Sequence, residues 1–136
     1  MQIKNLQDIF KPNITEKQLL EISPIALAFI GDGLHTIYVR DMVIKENILL
    51  VKDYHKMSSS FCNANAQAKQ FDAIFPILTE QEKEVVRRTR NSKIHHTSKN
   101  TDEATYKKAT CFEAVLGYLY LLGNYDRINE ILNIEE

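Results

Sequence analysis

With 136 residues, 44% of them hydrophobic, and a net charge of −1, the chain has the size and apolar content for one domain, 1–136, with a true core. Global basicity is absent, so nothing in the total charge announces a nucleic-acid partner, and neither a signal peptide nor an apolar run of about 18 residues is present. Cys62 and Cys111 lie far apart with no CxxC, which fits reduced thiols in a cytoplasmic protein.

Taken in order, 1–13 carries Ile3, Leu6, Ile9 and Phe10, a short amphipathic piece ended by Pro12. Thr15 and Gln18 have capping-box spacing and predict a helical turn. A central helix is expected from about 24 to 46, with Ser23 as N-cap and Pro24 as first residue, where proline's fixed φ is already helical. The stretch 25–40 reads as the organising element, because Asp32 stands in an apolar run between Gly31 and Gly33. Each glycine there is unfavourable by about 1 kcal/mol relative to alanine, so a close-approaching backbone or ligand is expected in return. The i−4 and i+4 neighbours of Asp32 are Ala28 and Thr36, both small, so the carboxylate lies on a shallow stripe.

The apolar run 48–51 is too short to assign. From 53 to 75, Tyr54, Met57, Phe61, Ala64, Ala68, Phe71 and Phe75 recur at steps of three and four, a helical pattern stopped by Pro76. Its other faces hold short polar groups, among them Ser58, Ser59, Ser60, Asn63 and Gln67. Thr79 and Glu82 form a second capping box for a helix to about 90. The stretch 91–101 has no apolar period and reads as an exposed loop. Thr101 or Asp102 caps a last long helix over 103–122, Gly123 ends it, and 125–133 forms a short terminal helix. No stretch alternates with period two, so the fold class is all-α, with six or seven helices.

A second acid, Glu113, sits in an apolar helix between Ala109 and Gly117 at i−4 and i+4, with no Lys or Arg over 112–122 to neutralise it. A bare buried acid is costly unless paired or bound to metal. If the two small-residue stripes face each other, Asp32 and Glu113 share a cation, and all-oxygen ligation suits magnesium. The plainer alternative is that each acid hydrogen-bonds backbone or tyrosine hydroxyls. The segment 87–108 holds seven basic residues (Arg87, Arg88, Arg90, Lys93, Lys99, Lys107, Lys108) against Asp102 and Glu103, a local +5 in a chain of total −1. Such a patch on an acidic protein points to a polyanion, here nucleic acid, with a solvated face as the alternative. His95 and His96 are adjacent and point apart; His35 is placed to support the Asp32 site, and His55 to lie on the surface.

The segment 27–33, Leu-Ala-Phe-Ile-Gly-Asp-Gly, resembles the signature of the ribonuclease III catalytic domain, and 112–117, Phe-Glu-Ala-Val-Leu-Gly, its second acidic motif. Residues 87–93, Arg-Arg-Thr-Arg-Asn-Ser-Lys, with 99–102 and 104–106, resemble the Mini-ribonuclease III branch, as does the lack of an appended double-stranded-RNA-binding domain. The likeness covers roughly 20–132 and implies the helical bundle of that endonuclease domain. It implies Asp32 and Glu113 as catalytic metal ligands for Mg²⁺, with Mn²⁺ as substitute, and RNA contacts by Arg87, Arg88, Arg90, Asn91, Lys93 and Lys99. It further implies a homodimer cutting both strands of duplex RNA to 5′-phosphate and 3′-hydroxyl ends. The expected substrate is the precursor of bacterial large-subunit (23S) ribosomal RNA, with ribosomal proteins as further partners. Ala28 and Thr110 stand where the larger enzymes have acids, which leaves open the number of ions and keeps a non-catalytic RNA-binding or ribosome-assembly module as a rival reading. A metal phosphohydrolase acting on nucleotides is a second rival, resting on His95, His96 and the acids.

Overall fold

A computed structural model describes residues 5–11, 14–46, 50–93 and 101–134. Helices begin where the chain offers a cap. Thr15 and Thr79 each form a reciprocal capping box, with Gln18 and with Glu82, and open α1 (Glu16–Glu21) and α5 (Glu80–Arg90). Ser23 Oγ accepts the Ala26 N–H at 3.1 Å, and Pro24 leads α2 (Pro24–Glu46). Asp102, rather than Thr101, caps α6 (Glu103–Leu122), accepting the Thr105 N–H at 2.7 Å. Gly123 ends that helix at φ 80, a left-handed conformation that glycine adopts without steric cost. Asn124 then caps α7 (Tyr125–Leu132). A 3₁₀ turn, Leu6–Phe10, precedes this series and is held by Tyr120 and Tyr125, whose hydroxyls donate to the carbonyls of Ile9 and Phe10. Among the described residues there is no strand, in line with the all-α expectation.

The single helix expected over 53–75 is two helices. α3 (Val51–Cys62) and α4 (Ala64–Ile74) meet at Asn63, whose backbone is extended at ψ 161. Its side chain serves both ends at once: Nδ2 donates to the Ser59 carbonyl at 2.9 Å, and Oδ1 accepts the Ala66 N–H at 2.8 Å. The apolar period runs on across the break, so periodicity alone hides it; the asparagine is the signal. The 48–51 run resolves at its end only, since Val51 opens α3 while 47–49 lie outside the described residues.

The packing also moves the organising role from α2 to α6. From Ala109 to Gly117 only Glu113 escapes burial, and α2, α4, α5, α7 and α1 all pack on this helix. Phe112 and Leu116 are fully buried within it, with Leu27 of α2, Phe71 and Ile74 of α4, and Val86 of α5 around them. Each such side chain contributes about 1.5–3 kcal/mol by leaving water. α2 is apolar but one-sided. Phe29, Ile37 and Ile44 stay exposed at 82%, 62% and 61%.

Candidate functional site

The α2–α6 contact is made by two glycines working reciprocally. A Cβ on Gly31 would overlap the Glu113 carbonyl, and a Cβ on Gly117 would overlap the Leu27 carbonyl. Only glycine lets the two backbones come this close. Gly33 meets nothing, so of the two glycines around Asp32 only Gly31 belongs to the close approach. Because Gly31 sits against Glu113, the next residue along α2, Asp32, comes level with the Glu113 side chain, and the two acids line one cleft.

The acids open into a cleft of about 460 Å³. Ala28 and Thr110 line it as small residues, and the Thr110 hydroxyl donates to the Tyr106 carbonyl at 2.9 Å. Ile25 and Phe29 form an apolar wall, and Lys93 is the cationic side chain that lines the cleft among the described residues. Among the described residues neither acid has an ion-pair partner, and no group of three or more His, Cys, Asp or Glu side chains is placed to hold a metal. Burial, and then the Asp32 carboxyl beside it, push the Glu113 carboxyl up to about 9, while a hydrogen bond from Gln67 works the other way. Two neighbouring carboxyls in one cleft, with small residues beside them and no ion pair to either among the described residues, form a donor set suited to a hard divalent ion.

His35 does not touch Asp32 as a direct partner. It is buried, stands edge-on to Phe112 with ring centroids 5.1 Å apart, and has Nδ1 3.1 Å from Nε2 of Gln67. Burial lowers its pKa to about 4, so the ring is neutral. Gln67 is the residue that the sequence pattern misplaces: assigned there to a polar face, it is 4% exposed and bonded to His35. Its signal was position, since it lies three residues after Ala64 and four before Phe71, on the apolar side of α4.

The basic segment is less free than its charge suggests. Arg87 pairs with Glu84, with Nε 2.9 Å from Oε2. Arg88 donates to the Ile22 carbonyl at 3.0 Å, and Arg90 lies over the rings of Phe71 and Phe75 at 5.6 Å. Lys107 pairs with Glu103, and Lys108 with Asp72. Asn91 is exposed at the end of α5, giving its N–H to the Arg87 carbonyl. Lys93 is exposed at the acid cleft, whereas Lys99, His95 and His96 lie outside the described residues. His55 is exposed on α3.

These features sit in a chain whose residues 25–124 match the ribonuclease III domain family, which sets the class as a nuclease, a hydrolase of RNA. The curated relatives narrow it. A Mini-ribonuclease 3 from Thermoanaerobacter sp. (strain X514) is 40% identical over 121 residues, covering 89% of this chain and 85% of its own. One from Symbiobacterium thermophilum is 42% identical over 113 residues, covering 83% and 87%. A crystal structure of a Fusobacterium nucleatum protein superposes with a TM-score of 0.77 at 28% identity, covering 82% of this chain and 91% of that one. The chain belongs to the ribonuclease III family, within its Mini-ribonuclease 3 branch. No helix among the described residues is long and apolar enough to cross a membrane.

Proposed function

We propose that the protein is a divalent-cation-dependent endoribonuclease that cleaves double-stranded RNA to 5′-phosphate and 3′-hydroxyl ends, with Asp32 and Glu113 as its catalytic acids. The observation that carries this reading is the pair of acids lining one cleft, with no ion pair to either among the described residues. Mg²⁺, or Mn²⁺ in its place, supplies when bound the charge that polarises a phosphodiester and acidifies water. The chain's own residues do the rest. Asp32 and Glu113 would hold the ion at the cleft. Lys93, which lines the cleft, would neutralise phosphate charge there. Asn91, with Arg87, Arg88, Arg90 and Lys99, extends that contact along the duplex. A-form RNA is read there by shape, phosphate and 2′-hydroxyl rather than by base edges.

One cleft addresses one strand, so cutting both calls for two clefts related by a twofold axis. The exposed apolar side of α2, with Phe29 and Ile37, and Phe61 of α3 at 46% exposure, supplies the surface for such a homodimer. Within this reading the substrate is the precursor of 23S ribosomal RNA, met in the cytoplasm, with ribosomal proteins as neighbours. The test is incubation with a duplex RNA, with its two separate strands, and with nucleotides, each with and without Mg²⁺. Discrete Mg²⁺-dependent cuts in the duplex alone are the expected result. Uncut duplex, or hydrolysed nucleotides, would overturn the proposal.

A further inference from the structure

The basic run at 87–108 is largely engaged with the protein itself. Arg87, Lys107 and Lys108 are held by Glu84, Glu103 and Asp72, Arg88 by a carbonyl, and Arg90 by two rings. Along α2 and α3 the opposite holds. Arg40, Lys52 and Lys56 are exposed, and among the described residues none of them makes an ion pair. Lys52, His55, Lys56 and Ser59 follow the i, i+3, i+4, i+7 spacing of one helix face, and all four are exposed. Asp53, the one acid of α3, falls outside that spacing and is half-buried. On α2, Asp41 beside Arg40 is paired with Lys45 at 2.9 Å, and Glu46 stands at the last position of the helix.

The two helices leave a groove of about 340 Å³ between them, lined by Val43, Ile44 and Val51 and, on its polar side, by Arg40 and His55. Its place on α2 ties it to the acid cleft. The cleft takes Ile25, Phe29 and Asp32 from α2, and Arg40 follows Asp32 by eight residues, about 12 Å along the helix at about 1.5 Å per residue. A backbone that passes the acids therefore reaches the groove within a few nucleotides. A guanidinium forks onto two phosphate oxygens, and an imidazole offers an N–H in either protonation state. A paired cation must give up an acid to take a phosphate; these three need not.

We propose that the α2–α3 groove is a second RNA-backbone site, in which Arg40 and His55, with Lys52 and Lys56 along the α3 ridge, hold phosphates of the duplex. This rests on the duplex-RNA reading of the acid cleft and adds to it the surface that seats the strand beyond Asp32.

The experiment measures binding of one duplex RNA in Ca²⁺ at several salt concentrations, by fluorescence anisotropy, with sedimentation and a thermal transition for each protein. It compares wild type, Arg40→Gln, the pair Lys52→Gln with Lys56→Gln, the triple variant, and Asp32→Asn. Lys45→Gln serves as control, because that lysine is exposed on the same helix but paired. Each lost phosphate contact makes the slope of log affinity against log salt shallower by about 0.7–0.9, so the triple variant should lose about 2–3. Lys45→Gln should lose much less. In Mg²⁺ the duplex concentration for half-maximal cutting should rise in the triple variant, with the rate at saturating duplex near that of wild type. Asp32→Asn should give the reverse, binding kept with its full slope and cutting lost. If the triple variant does not fold, the exposed α3 pair decides, with an expected change of about 1.4–1.8. A weaker dimer at an unchanged slope would assign the groove to a second copy of the chain and overturn the proposal. Wild type that binds no duplex overturns the duplex reading itself. Wild type that binds, with an unchanged slope in the variants, overturns the groove alone.

Discussion

Glu82 and Glu113 are the same side chain on neighbouring helices, and they are treated in opposite ways. Glu82 is 2% exposed at the start of α5, yet it receives a bidentate grip from Arg127 of α7, at 2.9 and 2.8 Å, and the N–H of Thr79 at 2.9 Å. Burial alone would raise its pKa, but those hydrogen bonds outweigh it and hold the carboxyl below its ordinary value. Arg127 also donates to the Ile77 carbonyl at 2.7 Å, so one guanidinium ties α7 to the turn before α5. Glu113 faces a second acid instead of a cation, and its carboxyl is pushed up to about 9 by burial and by Asp32. The contrast separates an acid that holds the fold from one that waits for a charge from outside. Burial does not tell them apart; the identity of the opposite group does.

The largest expected effect lies on the Glu113 side. Glu113→Gln should lower duplex cleavage by about 10²–10⁴-fold, the several kcal/mol that a bound metal supplies. Its thermal transition in EDTA should stay near that of wild type, since the amide replaces a carboxyl that already keeps its proton there. On the Glu82 side the signs reverse. Arg127→Met leaves a buried carboxylate without its partner and should cost about 3–5 kcal/mol in urea unfolding. Cleavage per folded molecule, measured well below the transition, should be near that of wild type.

Titration separates the two acids again. Glu113 favours its proton in the folded, cation-free protein up to about 9, against an ordinary 4.5. That preference contributes stability below about pH 4.5, and the contribution is lost as pH rises through about 9. A divalent ion displaces the proton, so the rise in melting temperature caused by Mg²⁺ should grow across that window. A Mg²⁺ shift independent of pH would place the ion elsewhere. Glu82 has a lowered carboxyl pKa, so its stabilisation is present above the ordinary 4.5 and is lost as pH falls through the folded value.

The smallest expected effect is in the basic segment. Lys93→Ala should make the slope of log affinity against log salt shallower by about 0.7–0.9, one phosphate contact. Arg88→Ala should change it less, because that guanidinium is engaged with the Ile22 carbonyl. Equal slopes for Lys93→Ala and wild type would reduce Lys93 to a solvated neighbour of the cleft.

The nearness of the two acids was legible in sequence because helix geometry is regular: Gly31 beside Asp32, and Gly117 one turn after Glu113, are small residues at which α2 and α6 touch. The helix caps were legible for the same local reason, Asn63 excepted, where a polar residue splits an unbroken apolar period. Partners distant in sequence were not. Nothing near Glu82 names Arg127, and nothing near Gln67 names His35. The charge run misled in part, because a count of +5 does not reveal that Arg87, Lys107 and Lys108 are paired with acids. The primacy given to α2 was misplaced, since an apolar helix buried on every side and one with an open face look alike in composition.

The most direct test is Asp32→Asn, which keeps the size and hydrogen bonding of the side chain and removes one charge. Cleavage of a duplex RNA in Mg²⁺ and binding of the same duplex in Ca²⁺ are measured together on wild type and variant. The expected result is binding largely kept, a thermal transition unchanged or raised, and cleavage lower by orders of magnitude. Asp32→Asn cutting the duplex at the wild-type rate would contradict the assignment of the acid pair as the catalytic centre.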